Sequence, residues 1–116
     1  MLVMLQAEER GFVESLDEIL EIDGYDAIFV DPMDLAQSMG YLGHPEYPEV
    51  QEAVEQVIRK ASTTGKTVAV LAAGPEDLKK RIDQGARMFI LGSDYRFVRD
   101  GIKDKLAMAR SVLDNA

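Results

Sequence analysis

Apolar residues fall along this chain in two alternating patterns. Short unbroken runs at Leu2–Leu5, Ala27–Val30, Thr67–Leu71 and Met88–Leu91 predict strands. Between them, apolar positions recur at helical spacing. Phe12, Val13, Leu16, Ile19 and Leu20 predict a helix over Phe12–Ile22, stopped by Gly24. A short helix begins near Asp34 and takes in Leu35–Met39, and a Gly- and Pro-rich loop, Gly40–Pro48, follows it. Val50, Ala53, Val54, Val57, Ile58 and Ala61 share one face of a longer helix over about Glu49–Thr64, ended by Gly65. Pro75 at the start and Gly85 at the end bracket the next helix. Ser93–Leu113 is the last helical region.

The order is strand then helix, four times, with no hairpin signal. The strand runs are continuously apolar, which indicates a parallel sheet covered on both faces in a single α/β domain over residues 1–116. Such folds place their chemistry at the C-terminal ends of the strands. Those ends carry Gln6 and Glu8; Asp31, Pro32 and Asp34; Ala72, Ala73 and Gly74; and Gly92, Ser93 and Asp94. Acids held on one rim by separate strands suit a hard divalent cation. Mg²⁺ or Mn²⁺ would take two carboxylates, waters and a chelating substrate.

Charge and composition narrow the possible partners. The formal net charge is −8, so no basic patch is available for nucleic acid or for an anionic membrane surface. No apolar run approaches the roughly 18 residues of a membrane span, and the first residues lack the basic and apolar regions of a signal peptide. With no cysteine, disulfides and thiolate chemistry are excluded. The expectation is a cytoplasmic protein. Asp34 suits the N-cap of the short helix, and Asp94 that of the last one. Asp31 reads as a loop acid, His44 as an exposed loop residue, and the six methionines as core filler.

Four short motifs occur in order: Gln-x-Glu at Gln6 and Glu8, Pro-x-Asp-Leu at Pro32–Leu35, Ser-Met-Gly at Ser38–Gly40 and Gly-Ser-Asp at Gly92–Asp94. Together they give the chain, over nearly its whole length, a sequence that resembles the HpcH/HpaI family of class II aldolases. The resemblance implies a TIM barrel binding a divalent metal and pyruvate. This chain corresponds to strands five to eight, because a whole barrel needs about 250 residues. Glu8 and Asp34 are implied as metal ligands, and Gln6 as a neighbour of pyruvate. The backbone amides of Met33 and Asp34 are implied as the seat of the pyruvate carboxylate. The metal would polarise a keto oxygen during reversible cleavage of a 4-hydroxy-2-oxo acid to pyruvate and an aldehyde.

Two residues depart from the family pattern. Asp31 stands where the family usually has glycine, and Met33 where it usually has a small residue; both bear on the substrate more than on the metal. The family's acid–base groups belong to the other half, so weak or absent activity is expected of this chain alone. Four strands alone leave two open edges, which predicts a homodimer or higher oligomer closing an eight-stranded barrel. The alternative fold is a flavodoxin-like open sheet. The alternative functions are a non-catalytic, self-associating half-barrel scaffold with a vestigial metal site, and a receiver-like acidic pocket. The receiver reading would need a fifth strand and a late lysine, neither of which the sequence supplies.

Overall fold

The computed structural model describes residues 1–114. Four parallel strands, β1 (Met4–Ala7), β2 (Ala27–Val30), β3 (Thr67–Leu71) and β4 (Met88–Ile90), lie side by side in sequence order. Met4 pairs with Ala27, Ala27 with Thr67, and Ala69 with Met88. An order without reversal is that of a barrel wall. A flavodoxin-like sheet switches direction after its first strand, so that alternative is set aside.

Among the described residues six helices connect and follow the strands: α1 (Arg10–Glu14), α2 (Leu16–Leu20), α3 (Pro32–Ser38), α4 (Pro48–Ser62), α5 (Pro75–Gln84) and α6 (Asp94–Asp114). One core forms where Ala7, Ile28, Val30, Val68 and Val70 meet Leu16, Leu35, Val50, Val54, Val57 and Ile58. These strand residues share one parity, so the core lies on one face of the sheet. The expectation of a sheet covered on both faces is corrected. On the other parity Ala27, Phe29 and Ala69 are buried but lie outside that core, and Met4 and Gln6 are exposed.

The boundaries bring further corrections. β1 starts two residues later than the apolar run, because Gln6 and Ala7 pair with Phe29 and Val30 while Met1 and Leu2 are exposed. The helix expected over Phe12–Ile22 is two short helices divided at Ser15, whose φ of −96° and ψ of 14° leave the helical region. Of the methionines expected to be core filler, only Met39 packs against the core among the described residues. Met1, Met4, Met33 and Met108 are exposed, and Met39 and Met88 are half-buried.

Helix α6 leaves the body. Its 21 residues span about 30 Å, and none is buried. The radius of gyration is 17.5 Å, against about 13 Å for a compact chain of this size. No helix among the described residues is long and apolar enough to cross a membrane.

Candidate functional site

The site is built on the turn from β2 into α3. Val30 ends a fully buried strand, and the chain emerges at Asp31 with Pro32 in the first helical turn. Proline there has a preset φ and no N–H to satisfy. Asp31, not Asp34, is the N-cap. Its Oδ1 accepts from the Met33 N–H at 3.0 Å and the Asp34 N–H at 3.4 Å. The two amides that the resemblance assigned to a substrate carboxylate therefore already donate to a carboxylate of the chain itself. Capping by Asp31 leaves the Asp34 side chain exposed on the first turn of α3.

The far end of α3 explains the Ser-Met-Gly motif. The Tyr41 N–H donates to Ala36 O at 2.7 Å and the Gly40 N–H to Gln37 O at 3.1 Å, a Schellman ending. It requires the positive φ of Gly40, +92°. Ser38 Oγ accepts from the Arg10 N–H at 2.9 Å, and Arg10 Nη2 donates to Met39 O at 3.1 Å. These bonds tie the start of α1 to the end of α3, and they fix the loop from β1 into α1 that carries Glu8 and Glu9.

Glu8, Glu9, Asp34, Gln37 and Ser38 together line a cleft of about 370 Å³. Glu8 immediately follows β1 and is half-buried. Gln6 lies within β1, exposed, and its Nε2 donates to Glu8 Oε2 at 2.7 Å. That bond occupies one Glu8 oxygen and orients the other, as outer-shell partners of metal-ligating carboxylates do. The structure thus brings the two expected ligands, Glu8 and Asp34, into one cleft, with Gln6 behind the first. The described residues contain no cluster of three or more metal-ligating side chains. Two carboxylates with open positions for water and substrate fit Mg²⁺ or Mn²⁺, which keep several waters. They do not fit a closed all-protein cage.

His44 is an exposed loop residue, as expected. Its Nδ1 lies 2.9 Å from Glu46 Oε1, and that contact holds the Glu46 carboxyl below its usual range. Met33 is exposed and lines a second cleft of about 440 Å³ over β3, to which Leu71, Glu46, Asp77, Arg81 and Arg96 also contribute.

The sequence reading missed two arginines here. Arg81, on α5, is 3% exposed. Its Nη2 donates to Gln51 Oε1 at 2.7 Å and its Nη1 to Gln84 Oε1 at 3.1 Å. Its Nε lies 3.0 Å from Asp77 Oδ1 but off the line of a good hydrogen bond. The i,i+4 spacing of Asp77 and Arg81 was the available signal. Arg96 stands in the first turns of α6. Its Nε donates to the Tyr95 hydroxyl at 3.1 Å, which holds that phenol below its ordinary value.

Known proteins share this fold. Residues 1–100 match the family model described as HpcH/HpaI aldolase/citrate lyase. A 2-keto-3-deoxy-L-rhamnonate aldolase of Klebsiella pneumoniae subsp. pneumoniae is 37% identical over 109 residues, covering 94% of this chain and 41% of that protein. Its Escherichia coli O1:K1 / APEC counterpart is 34% identical over the same share. Among solved structures, a citrate synthase SbnG superposes with a TM-score of 0.88 at 27% identity, over 97% of this chain and 46% of that one. An HpcH/HpaI aldolase/citrate lyase family protein from Burkholderia cenocepacia J2315 gives 0.88 at 26% identity, over 95% and 43%. The chain spans less than half the length of the curated relatives it matches.

Proposed function

The chain belongs to the HpcH/HpaI aldolase/citrate lyase family, and from that premise we propose that it carries the metal- and pyruvate-binding part of a carbon–carbon lyase. The substrate class is a 4-hydroxy-2-oxo acid, cleaved to pyruvate and an aldehyde. One observation carries the reading: Glu8 and Asp34, from successive strand ends, line one cleft. Glu8 and Asp34 would hold a divalent ion, Mg²⁺ or Mn²⁺. When bound, that ion supplies a Lewis acid for a keto oxygen. Gln6 fixes the Glu8 carboxylate, and Arg10 with Ser38 fixes the loop that carries it. The Met33 and Asp34 amides offer N–H donors to a carboxylate, for which Asp31 competes. The setting of such an enzyme is the cytoplasm.

The partner we propose is a second copy of this chain. β1 and β4 are the two edges of the sheet, each a row of backbone groups paired on one side. Val98, Ile102 and Leu106 add an exposed apolar stripe on α6. The occupation of the α3 amides by Asp31 favours a second reading, a self-associating scaffold with a vestigial site.

Relaxation of the pyruvate methyl protons by Mn²⁺ separates the two readings. The enzyme reading expects protein-bound Mn²⁺ to broaden the methyl signal beyond free Mn²⁺, and expects Glu8→Ala or Asp34→Ala to abolish the difference. Broadening identical with and without protein would leave only the scaffold.

A further inference from the structure

Arg81 and Gln84 are the buried polar side chains among the described residues, 3% and 5% exposed. Arg81 joins three neighbours. Its Nη2 donates to Gln51 Oε1 on α4, its Nη1 donates to Gln84 Oε1, and its Nε faces Asp77 Oδ1 at 3.0 Å. The contacts run on from two of these. Asp77 Oδ2 accepts from the Ala73 N–H at 3.0 Å, and Gln51 Nε2 donates to Pro45 O at 2.7 Å. A chain of hydrogen bonds and one ion pair therefore leads from Ala73, in the loop after β3, through a buried guanidinium to Pro45, in the loop between α3 and α4. Both ends line the cleft of about 440 Å³. Met33, the residue before Asp34, lines it too.

Stability alone does not account for this burial. Withdrawing a guanidinium from water is costly, and apolar side chains of similar volume often serve a core as well or better. A buried polar network instead rigidifies the groups it joins in one arrangement. Guanidinium suits that role, because its donors lie in one plane at fixed angles, which no lysine offers. Gln84, whose Nε2 donates to Glu55 Oε2 at 3.0 Å, braces the guanidinium from a third direction. We infer that Arg81 is a positioning residue: through Asp77 and Gln51 it holds the Ala73 and Pro45 loops at one separation, and so sets the size of the group that the cleft beside Met33 admits. The ligand's place there rests on the function proposed above; the link between the loops does not.

Amide resonances of the full, metal-free chain test the link. Arg81→Met should raise hydrogen exchange at the Ala73 N–H about 3- to 10-fold, while the amides of β2 and β3 keep their protection. Arg81→Lys should not restore the protection of Ala73. Gln51→Ala removes a half-buried side chain that reaches Asp77 and Ala73 through Arg81. It should shift the Ala73 amide in the wild-type background and leave it unmoved in the Arg81→Met background. Equal Ala73 exchange in Arg81→Met and wild type, or the same Gln51→Ala shift in both backgrounds, overturns the inference. Should Arg81→Met lose its fold, Gln51→Ala alone decides: a shifted Ala73 amide supports the link, and an unmoved one overturns it.

With Mn²⁺ present, the size limit is read from the broadening of the methyl signals of pyruvate and of 3-methyl-2-oxobutyrate. The protein should favour pyruvate by about tenfold or more, and Arg81→Met should lose that preference by admitting the larger acid. The same preference in both proteins overturns the control of size. If neither acid binds, the aldolase reading and the size limit fall together, and the link between the loops is decided by the amide measurements.

Discussion

The second and fourth βα units begin alike and end differently. Each strand is followed by an aspartate that accepts from the first helical amides: Asp31 from Met33 and Asp34, Asp94 from Tyr95 at 2.7 Å. α3 then folds back and buries Pro32, Leu35 and Ala36. α6 runs outward and buries nothing, although Tyr95, Val98, Ile102, Leu106 and Leu113 recur at helical spacing. Asp94, expected as the N-cap of the last helix, is the first residue within it, but local sequence does not separate the two, because each opens on an aspartate and both are amphipathic. The difference is what lies beside them. α3 meets α4 and the core face of the sheet, whereas no residue of α6 is buried among the described residues. An amphipathic pattern states that a face suits burial and leaves open against what.

Substitutions can break that contrast. Leu35→Ala removes a side chain that is 0% exposed and should lower stability to urea by about 2–5 kcal/mol. Within the same packed body, Gly85 has φ +120° and a Cβ there would meet Ser62 Oγ at 2.6 Å. Gly85→Ala should cost about 1–3 kcal/mol, read from the same denaturation curves. Asp31→Ala should cost about 1 kcal/mol through the lost cap. Asp94→Ala should cost less, because fraying of α6 exposes no core.

The smallest effect is expected at Leu106, which is 48% exposed. Leu106→Ala should stay within about 0.5 kcal/mol in dilute protein. A cost comparable to that of Leu35→Ala would mean that α6 is packed in solution, and sedimentation equilibrium would then show a dimer or larger species.

The sequence made parts of this legible for physical reasons. β2 and β3 were readable to the residue because both strands are apolar through their length and bounded by turn residues. β1 was not, since Met1 and Leu2 are apolar yet exposed, and its pairing ends on Gln6 and Ala7. Glu8 and Asp34 stood out as acids just beyond strand ends, and one cleft holds both. The role of Asp31 was available in the Asp-Pro pair, an N-cap followed by proline in the first turn, but Asp34 also suits a cap, which left Asp31 to read as a loop acid. The burial of Arg81 depends on Gln51 and Gln84, the former on another helix, which no local pattern links to it.

Asp31 sharpens the functional question. Its carboxylate holds the amides that a substrate carboxylate would need. Asp31→Gly should therefore tighten pyruvate binding in the presence of Mn²⁺, at a cost in stability of only a few tenths of a kcal/mol, less than that of Asp31→Ala. Unchanged pyruvate affinity would mean that those amides are not the carboxylate seat.

Calorimetric titration with Mn²⁺ bears on the whole reading, because everything proposed for the rim begins with Glu8 and Asp34 holding an ion together. One Mn²⁺ should bind per chain, and Glu8→Ala and Asp34→Ala should each remove the binding while leaving the fold intact by circular dichroism. Undiminished binding in both variants would contradict it.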